Sequence, residues 1–106
     1  MQYHKFLVND TVIEFYNNWL GEETVTVNGQ VVSKESSILG RNHHFTILED
    51  GKHARYVLTS KVTDMMQVAL DLRKNGVILH EDVIVKYGSK SRKPQNKSKK
   101  LGLEKL

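Results

Sequence analysis

The run Thr24-Val25-Thr26-Val27-Asn28-Gly29-Gln30-Val31-Val32-Ser33 constrains this chain more than any other stretch. Two β-branched segments meet at Asn-Gly, the pair that most cheaply supplies the positive φ angles of a type I′ turn. A hairpin closed at Asn28-Gly29 is therefore expected, and the neighbouring sequence from Val12 to Ile47 is arranged around it. Further turn signals recur along the chain at Asn9-Asp10, Gly21, Gly40, Asp50-Gly51, Asp64, Asn75-Gly76 and Gly88. Short segments rich in Val, Ile, Thr, Phe and Tyr lie between them. Regular turns without a sustained 3.6-residue period are the mark of an antiparallel sandwich or barrel. The expected fold is an all-β antiparallel sandwich of seven or eight short strands.

Residue pairing sharpens that expectation. A two-residue loop at Asn9-Asp10 places Phe6 opposite Ile13 and Lys5 opposite Glu14, so one register yields an apolar pair and an opposite-charge pair. The same counting around Asp50-Gly51 sets Ile47 against Ala54, Phe45 against Tyr56 and His43 against Leu58 on the core side. Thr46 with Arg55 and Leu48 with His53 take the other face. Around Asn75-Gly76 it sets Leu72 against Leu79. Met65 to Lys74 also satisfies helical spacing, but the alternation of Val68, Leu70 and Leu72 runs straight into an Asn-Gly turn, which favours a strand. Val83 to Tyr87 reads as a last strand. Asn17 to Glu22 reads as a strand end and loop, with the indole of Trp19 covering one end of the core.

At 106 residues, 39% of them hydrophobic and 26% charged, the chain fits one ordinary globular domain. The absence of cysteine removes disulfides, thiolate nucleophiles and cysteine-ligated metal centres. The N-terminal residues lack the apolar core of a secretory signal, and the apolar runs are far too short to span a bilayer. These features point to a cytoplasmic protein.

Charge is unevenly placed. Residues 86–106 hold eight Lys or Arg against Glu104, a net of +7, whereas residues 1–85 hold eight basic and eleven acidic residues, a net of −3. Apolar residues vanish from Ser89 to Lys100, so this segment cannot bury enough surface to offset the entropy of ordering it. The chain divides accordingly into a β-sandwich domain, residues 1–88, and a disordered basic tail, residues 89–106. Lys90, Arg92, Lys93, Lys97, Lys99 and Lys100 are the candidate residues for binding an anionic partner. Lysine dominates there and no aromatic residue follows Tyr87, so the tail lacks the stacking groups and forked donors that read bases. Any attraction to RNA or DNA would be non-specific and salt-dependent. A membrane is not expected, because no lipidation motif or amphipathic helix accompanies the charge.

No catalytic constellation is recognisable. Ser33, Ser36 and Ser37 lie near Glu35, and His80 adjoins Glu81-Asp82, but no nucleophile elbow, paired-carboxylate motif or phosphate loop organises them. His43, His44 and His53 invite a metal reading. Adjacent strand residues point to opposite faces, however, so His43 and His44 cannot readily share an ion. One belongs beside the core and the other on the surface. No cofactor is implied.

The segments Ile13-Glu14-Phe15-Tyr16-Asn17, Val25-Thr26-Val27-Asn28-Gly29-Gln30-Val31-Val32 and Leu39-Gly40-Arg41-Asn42-His43-His44-Phe45-Thr46-Ile47 together resemble the β-sandwich repeat of the Fas apoptotic inhibitory molecule family. Leu70 to Gly76 is similar to a later hairpin of that repeat. The resemblance implies a sandwich with a binding role and no catalytic residues to carry over. The chain has room for one such repeat, and its basic tail lies outside the pattern. The functional expectation is a non-enzymatic interaction module with a protein partner, monomeric or weakly dimeric, whose tail attracts anionic partners. The alternative is a nucleic-acid-associated protein in which the tail dominates. A small hydrolase or a metal-binding protein stands behind both.

Overall fold

Alternation and turn chemistry produce two antiparallel sheets. The computed structural model describes residues 1–18 and 20–87, so the readings made for Trp19 and for the basic segment 89–106 lie outside the described residues. The strands are β1 (Gln2–Val8), β2 (Thr11–Asn17), β3 (Glu22–Val27), β4 (Gln30–Ser36), β5 (Gly40–Glu49), β6 (Lys52–Val62), β7 (Val68–Lys74), β8 (Val77–Ile84) and the two-residue β9 (Lys86–Tyr87). One sheet has the order β4-β3-β2-β1-β9 and the other β5-β6-β7-β8. No helix occurs among the described residues, and so none is long and apolar enough to cross a membrane.

Side chains from both sheets meet in one core. Phe6, Ile13, Phe15 and Val25 come from the first sheet, and Phe45, Ile47, Tyr56, Leu58, Leu70 and Leu72 from the second. Strands β5 and β6 bury every second residue over most of their length, as a sheet with one face on the core must. The registers around Asn9-Asp10 and Asp50-Gly51 are those counted from the sequence: Phe6 faces Ile13, Lys5 faces Glu14, Phe45 faces Tyr56 and His43 faces Leu58. Asn28 and Gly29 adopt φ of 49° and 85°, the all-positive pair expected of their turn.

Each sheet is built from a four-strand meander whose last hairpin ends in Asn-Gly, and the two turns dock alike. Asn28 donates its N–H to the Val12 carbonyl at 2.8 Å and accepts the Val12 N–H on Oδ1 at 2.9 Å. Asn75 does the same to Arg55, at 2.6 and 2.9 Å. The asparagine thus serves both as the positive-φ residue and as a tie to the strand that precedes its own hairpin.

Two expectations need correction. Leu72 faces His80 rather than Leu79, because register shifts interrupt the β7–β8 pairing between Leu70 and Leu72 and again between Leu72 and Arg73. Bulges insert residues without a sequence signal as plain as a turn. The segment Val83–Tyr87 is not one strand. It breaks at Val85, which is buried and donates its N–H to the Val68 carbonyl. Beyond it Lys86 and Tyr87 cross to the other sheet and pair with Tyr3 and Gln2. Met65 to Lys74 is a turn followed by β7, with Met66 at φ 61°.

Candidate functional site

The two ends of the sandwich are built from different chemistry. Four two-residue turns, Asn9-Asp10, Asn28-Gly29, Asp50-Gly51 and Asn75-Gly76, close one end. The opposite end carries the longer connections β2–β3, β4–β5 and β6–β7, together with Gln2 and its partner Tyr87. Each of these loops has a polar residue at its base. Asn18 Oδ1 accepts the N–H groups of Leu20 at 2.8 Å and Glu22 at 3.0 Å. Ser37 Oγ accepts the Gly40 N–H at 2.7 Å and donates to the Gly40 carbonyl at 2.6 Å. Thr63 Oγ1 accepts the N–H groups of Met65 and Gln67, both at 3.2 Å. A further bond, from the Ser37 N–H to the Gly21 carbonyl at 2.8 Å, joins the first two loops.

Because these side chains and the loop backbones satisfy one another, the loop tips owe nothing to the core and point outward. They are apolar: Leu20 is 90% exposed, Ile38 88%, Leu39 79%, Met65 77% and Met66 81%. Leu7, Leu48 and Val77 are also exposed, but less so. They stand on strands, towards the turn end of the two sheets. The unusual feature is that five of the most exposed apolar side chains share one end of the fold, since single exposed apolar side chains need no explanation.

Beneath the loop end lies a buried polar cluster. Glu23 on β3, His43 on β5 and Ser60 on β6 are all buried. His43 Nε2 lies 2.7 Å from Glu23 Oε1, and Ser60 Oγ donates to both carboxylate oxygens at 2.7 and 2.9 Å. His43 Nδ1 is 2.7 Å from Ser33 Oγ on β4. In the tautomer whose Nε2–H donates to the carboxylate, Nδ1 is left to accept a hydrogen bond from the Ser33 hydroxyl. The bulge in the β3–β4 pairing sets Ser33, rather than Val32, opposite the inward-facing Val25 and so brings Ser33 to His43. Hydroxyl, imidazole and carboxylate in this order are also the ingredients of nucleophilic catalysis. What the geometry accomplishes here is a tie of four strands across two sheets. A small cavity of about 20 Å³, room for one water, adjoins the cluster; Asn17, Glu23, Ser37 and Ser60 line it. Asn17 Oδ1 is buried without a hydrogen-bond partner among the described residues.

His43 was legible as a core-side residue, whereas Glu23 and Ser60 were missed. The signal existed: Glu23 alternates with Val25 and Val27 and so shares their inward face. The Ser33, Ser36, Ser37 and Glu35 grouping does not hold together, since Ser33 bonds His43, Ser37 bonds Gly40, and Glu35 pairs with Arg41 at 3.3 Å. His44 and His53 are exposed, and no group of three or more His, Asp or Glu among the described residues could hold a metal ion.

Two further carboxylates are clasped by phenols. Glu14 accepts a hydrogen bond from Tyr3, and Glu49 accepts one from Tyr56. Burial, reinforced by these carboxylates, pushes the Tyr3 and Tyr56 phenols well above the ordinary tyrosine range. Asp71 is pulled the other way. Burial raises its carboxyl, but the Asp82 N–H and the Lys61 ammonium outweigh burial and hold it below the usual range.

The candidate residues Lys90, Arg92, Lys93, Lys97, Lys99 and Lys100 lie outside the described residues. The described chain nevertheless reaches Tyr87 at the loop end, opposite Gln2. No family model matches the chain, and neither curated proteins nor solved structures match it.

Proposed function

We propose that this chain is a non-catalytic cytoplasmic interaction module. It meets its partner with the apolar-tipped loop end, and the basic segment containing Lys90, Arg92, Lys93, Lys97, Lys99 and Lys100 draws that partner in by charge. The observation that carries this reading is the presence of Leu20, Ile38, Leu39, Met65 and Met66 at the end where β9 reaches Tyr87. Pairing between copies through edge strand β8 is disfavoured by the two register shifts in its pairing with β7. A monomer suits the reading.

The test is site-specific photo-crosslinking in cells, with the photoreactive residue at Leu39 or Met65 on the loop end and at Gln30 on the turn end. Discrete adducts with protein, nucleic acid or lipid are expected from the first two positions, and neutralising the six basic residues to Gln should weaken them. Equal labelling from both ends would refute the proposal. The rival reading, non-specific binding of RNA or DNA through the tail, is favoured by the +7 charge of residues 86–106. It predicts nucleic-acid adducts that depend on the basic residues and are indifferent to the loop tips.

A further inference from the structure

We infer that the partner of the loop end is an anionic membrane surface, on which the protein sits peripherally with its three apolar loop tips among the lipid headgroups. This rests on the reading that the loop end is the binding surface. Charge alone did not suggest a membrane, because the sequence shows no anchor. The fold supplies one from residues far apart in the chain: Leu20, Ile38 with Leu39, and Met65 with Met66.

The chemistry of the tips separates the classes of anionic partner. Leu, Ile and Met side chains carry no strong hydrogen-bonding group, so they gain nothing from a hydrated phosphodiester backbone. They gain from leaving water for hydrocarbon. Backbone polar groups left without partners would oppose entry into the headgroup and acyl boundary. Here Asn18, Ser37 and Thr63 already accept the N–H groups of Leu20, Glu22, Gly40, Met65 and Gln67. The tips stand on separate loops rather than along one helix, and a fluid surface accommodates such scattered points without a complementary rigid shape.

Electrostatics favours the same orientation. The chain runs along β9 to Tyr87 beside Gln2, at the loop end, and eight Lys or Arg occur from Lys86 onward. A basic residue near an anionic lipid surface strengthens binding by about fivefold. Residues 1–85, with their net charge of −3, would be held off the same surface without that segment. Neither signal suffices alone, and a short apolar anchor combined with a polybasic segment is the combination that gives stable but reversible attachment.

The test is co-sedimentation of the full chain with phosphatidylcholine vesicles, with and without phosphatidylserine, at low and at physiological salt. Single-stranded RNA serves as a parallel probe. The variants are Ile38→Ser with Leu39→Ser, Met65→Ser with Met66→Ser, the six-residue Lys/Arg→Gln set, and Leu48→Ser as a control on an outer sheet face. All the substituted loop residues are exposed, so thermal melts should be unchanged. The expected result is binding to phosphatidylserine vesicles only, weakened about tenfold or more by either loop pair. The Gln set should abolish it, and Leu48→Ser should leave it unaltered. Absence of vesicle binding overturns the inference. So does vesicle binding that ignores the loop pairs and is matched by RNA, which would show the tail attracting any polyanion. Loop-end crosslinks to protein in the absence of vesicle binding would overturn the lipid assignment while leaving the interaction-module reading standing.

Discussion

Removing one member of the Glu23–His43 pair should cost far more than removing both. His43 is wholly buried and the Glu23 side chain is 4% exposed. In His43→Leu the carboxylate stays in the interior with Ser60 as its remaining bonded partner, and leaving a buried carboxylate short of a donor costs about 3 kcal/mol or more. In Glu23→Leu the charge is gone, but the His43 Nε2–H loses its acceptor, for about 1–3 kcal/mol. Ser60 suffers less, because its hydroxyl can turn to the Arg41 carbonyl at 3.3 Å while still accepting the Arg41 N–H at 2.9 Å. The double variant Glu23→Leu/His43→Leu leaves neither a stranded charge nor a stranded imidazole, and should lie within about 1 kcal/mol of the parent. The assay is urea unfolding followed by circular dichroism, with the slope checked for constancy so that midpoints report stability. Against a total of about 5–15 kcal/mol, the His43→Leu loss is a large fraction. Two single losses that are each below about 1 kcal/mol and simply add would refute the claim that these groups act as a coupled buried pair.

Two further outcomes follow from local geometry. Gly40 sits at φ 118°, and a Cβ there would lie 2.3 Å from the Ser60 carbonyl oxygen and 2.9 Å from Lys61 Cα. Gly40→Ala should therefore cost about 3 kcal/mol or more in thermal or urea unfolding. Gly51→Ala, at φ 78° with open space around it, should cost about 1 kcal/mol, and equal losses would contradict the argument. His4 packs edge-on against Phe6, which also touches His80. Burial, and then the neighbouring His80, hold the His4 imidazole below the ordinary histidine range. The unfolded chain then binds more protons, so the His4 contribution is intact above the unfolded value of about 6.5 and stability declines as pH falls through the folded value. His80→Gln should raise the His4 pKa and soften that decline. An NMR titration of the His4 ring that is unmoved by the substitution would refute it.

The parts of the fold that were legible in the sequence are those specified locally. Asn28-Gly29, Asp50-Gly51 and Asn75-Gly76 demand positive φ, and apolar alternation then forces the register of β1–β2 and β5–β6. Legibility failed where a tertiary contact overrides the local pattern. The β8 bulges follow no composition cue. Val85 leaves the sheet because its side chain is needed in the core and its N–H finds Val68, so a strand that looks continuous in sequence is divided between two sheets. The buried cluster was half legible. His43 follows from register, but Glu23 lies 20 residues from His43 and 37 from Ser60 in the two bonds it accepts, and no short-range pattern joins them.

The loop end was illegible for a related reason, and this bears on how the molecule works. Leu20, Ile38, Leu39, Met65 and Met66 occur in three polar-looking connections, each too short to register as an apolar segment. Up-and-down topology converts their spacing in sequence into proximity, because every second connection of a meander falls at the same end. Tight two-residue turns occupy the remaining connections, three of them with both central residues at positive φ, and fix the registers. Specification of the fold is thereby concentrated at one end and in the core. The loop tips are left with little structural duty, and a sequence can vary them for binding at small cost to stability. That separation predicts opposite profiles for the two ends. Substitution of Asn28 or Asn75 should lower stability through the lost Val12 or Arg55 bonds without touching vesicle affinity. Paired substitution at Ile38-Leu39 or Met65-Met66 should lower affinity without touching stability.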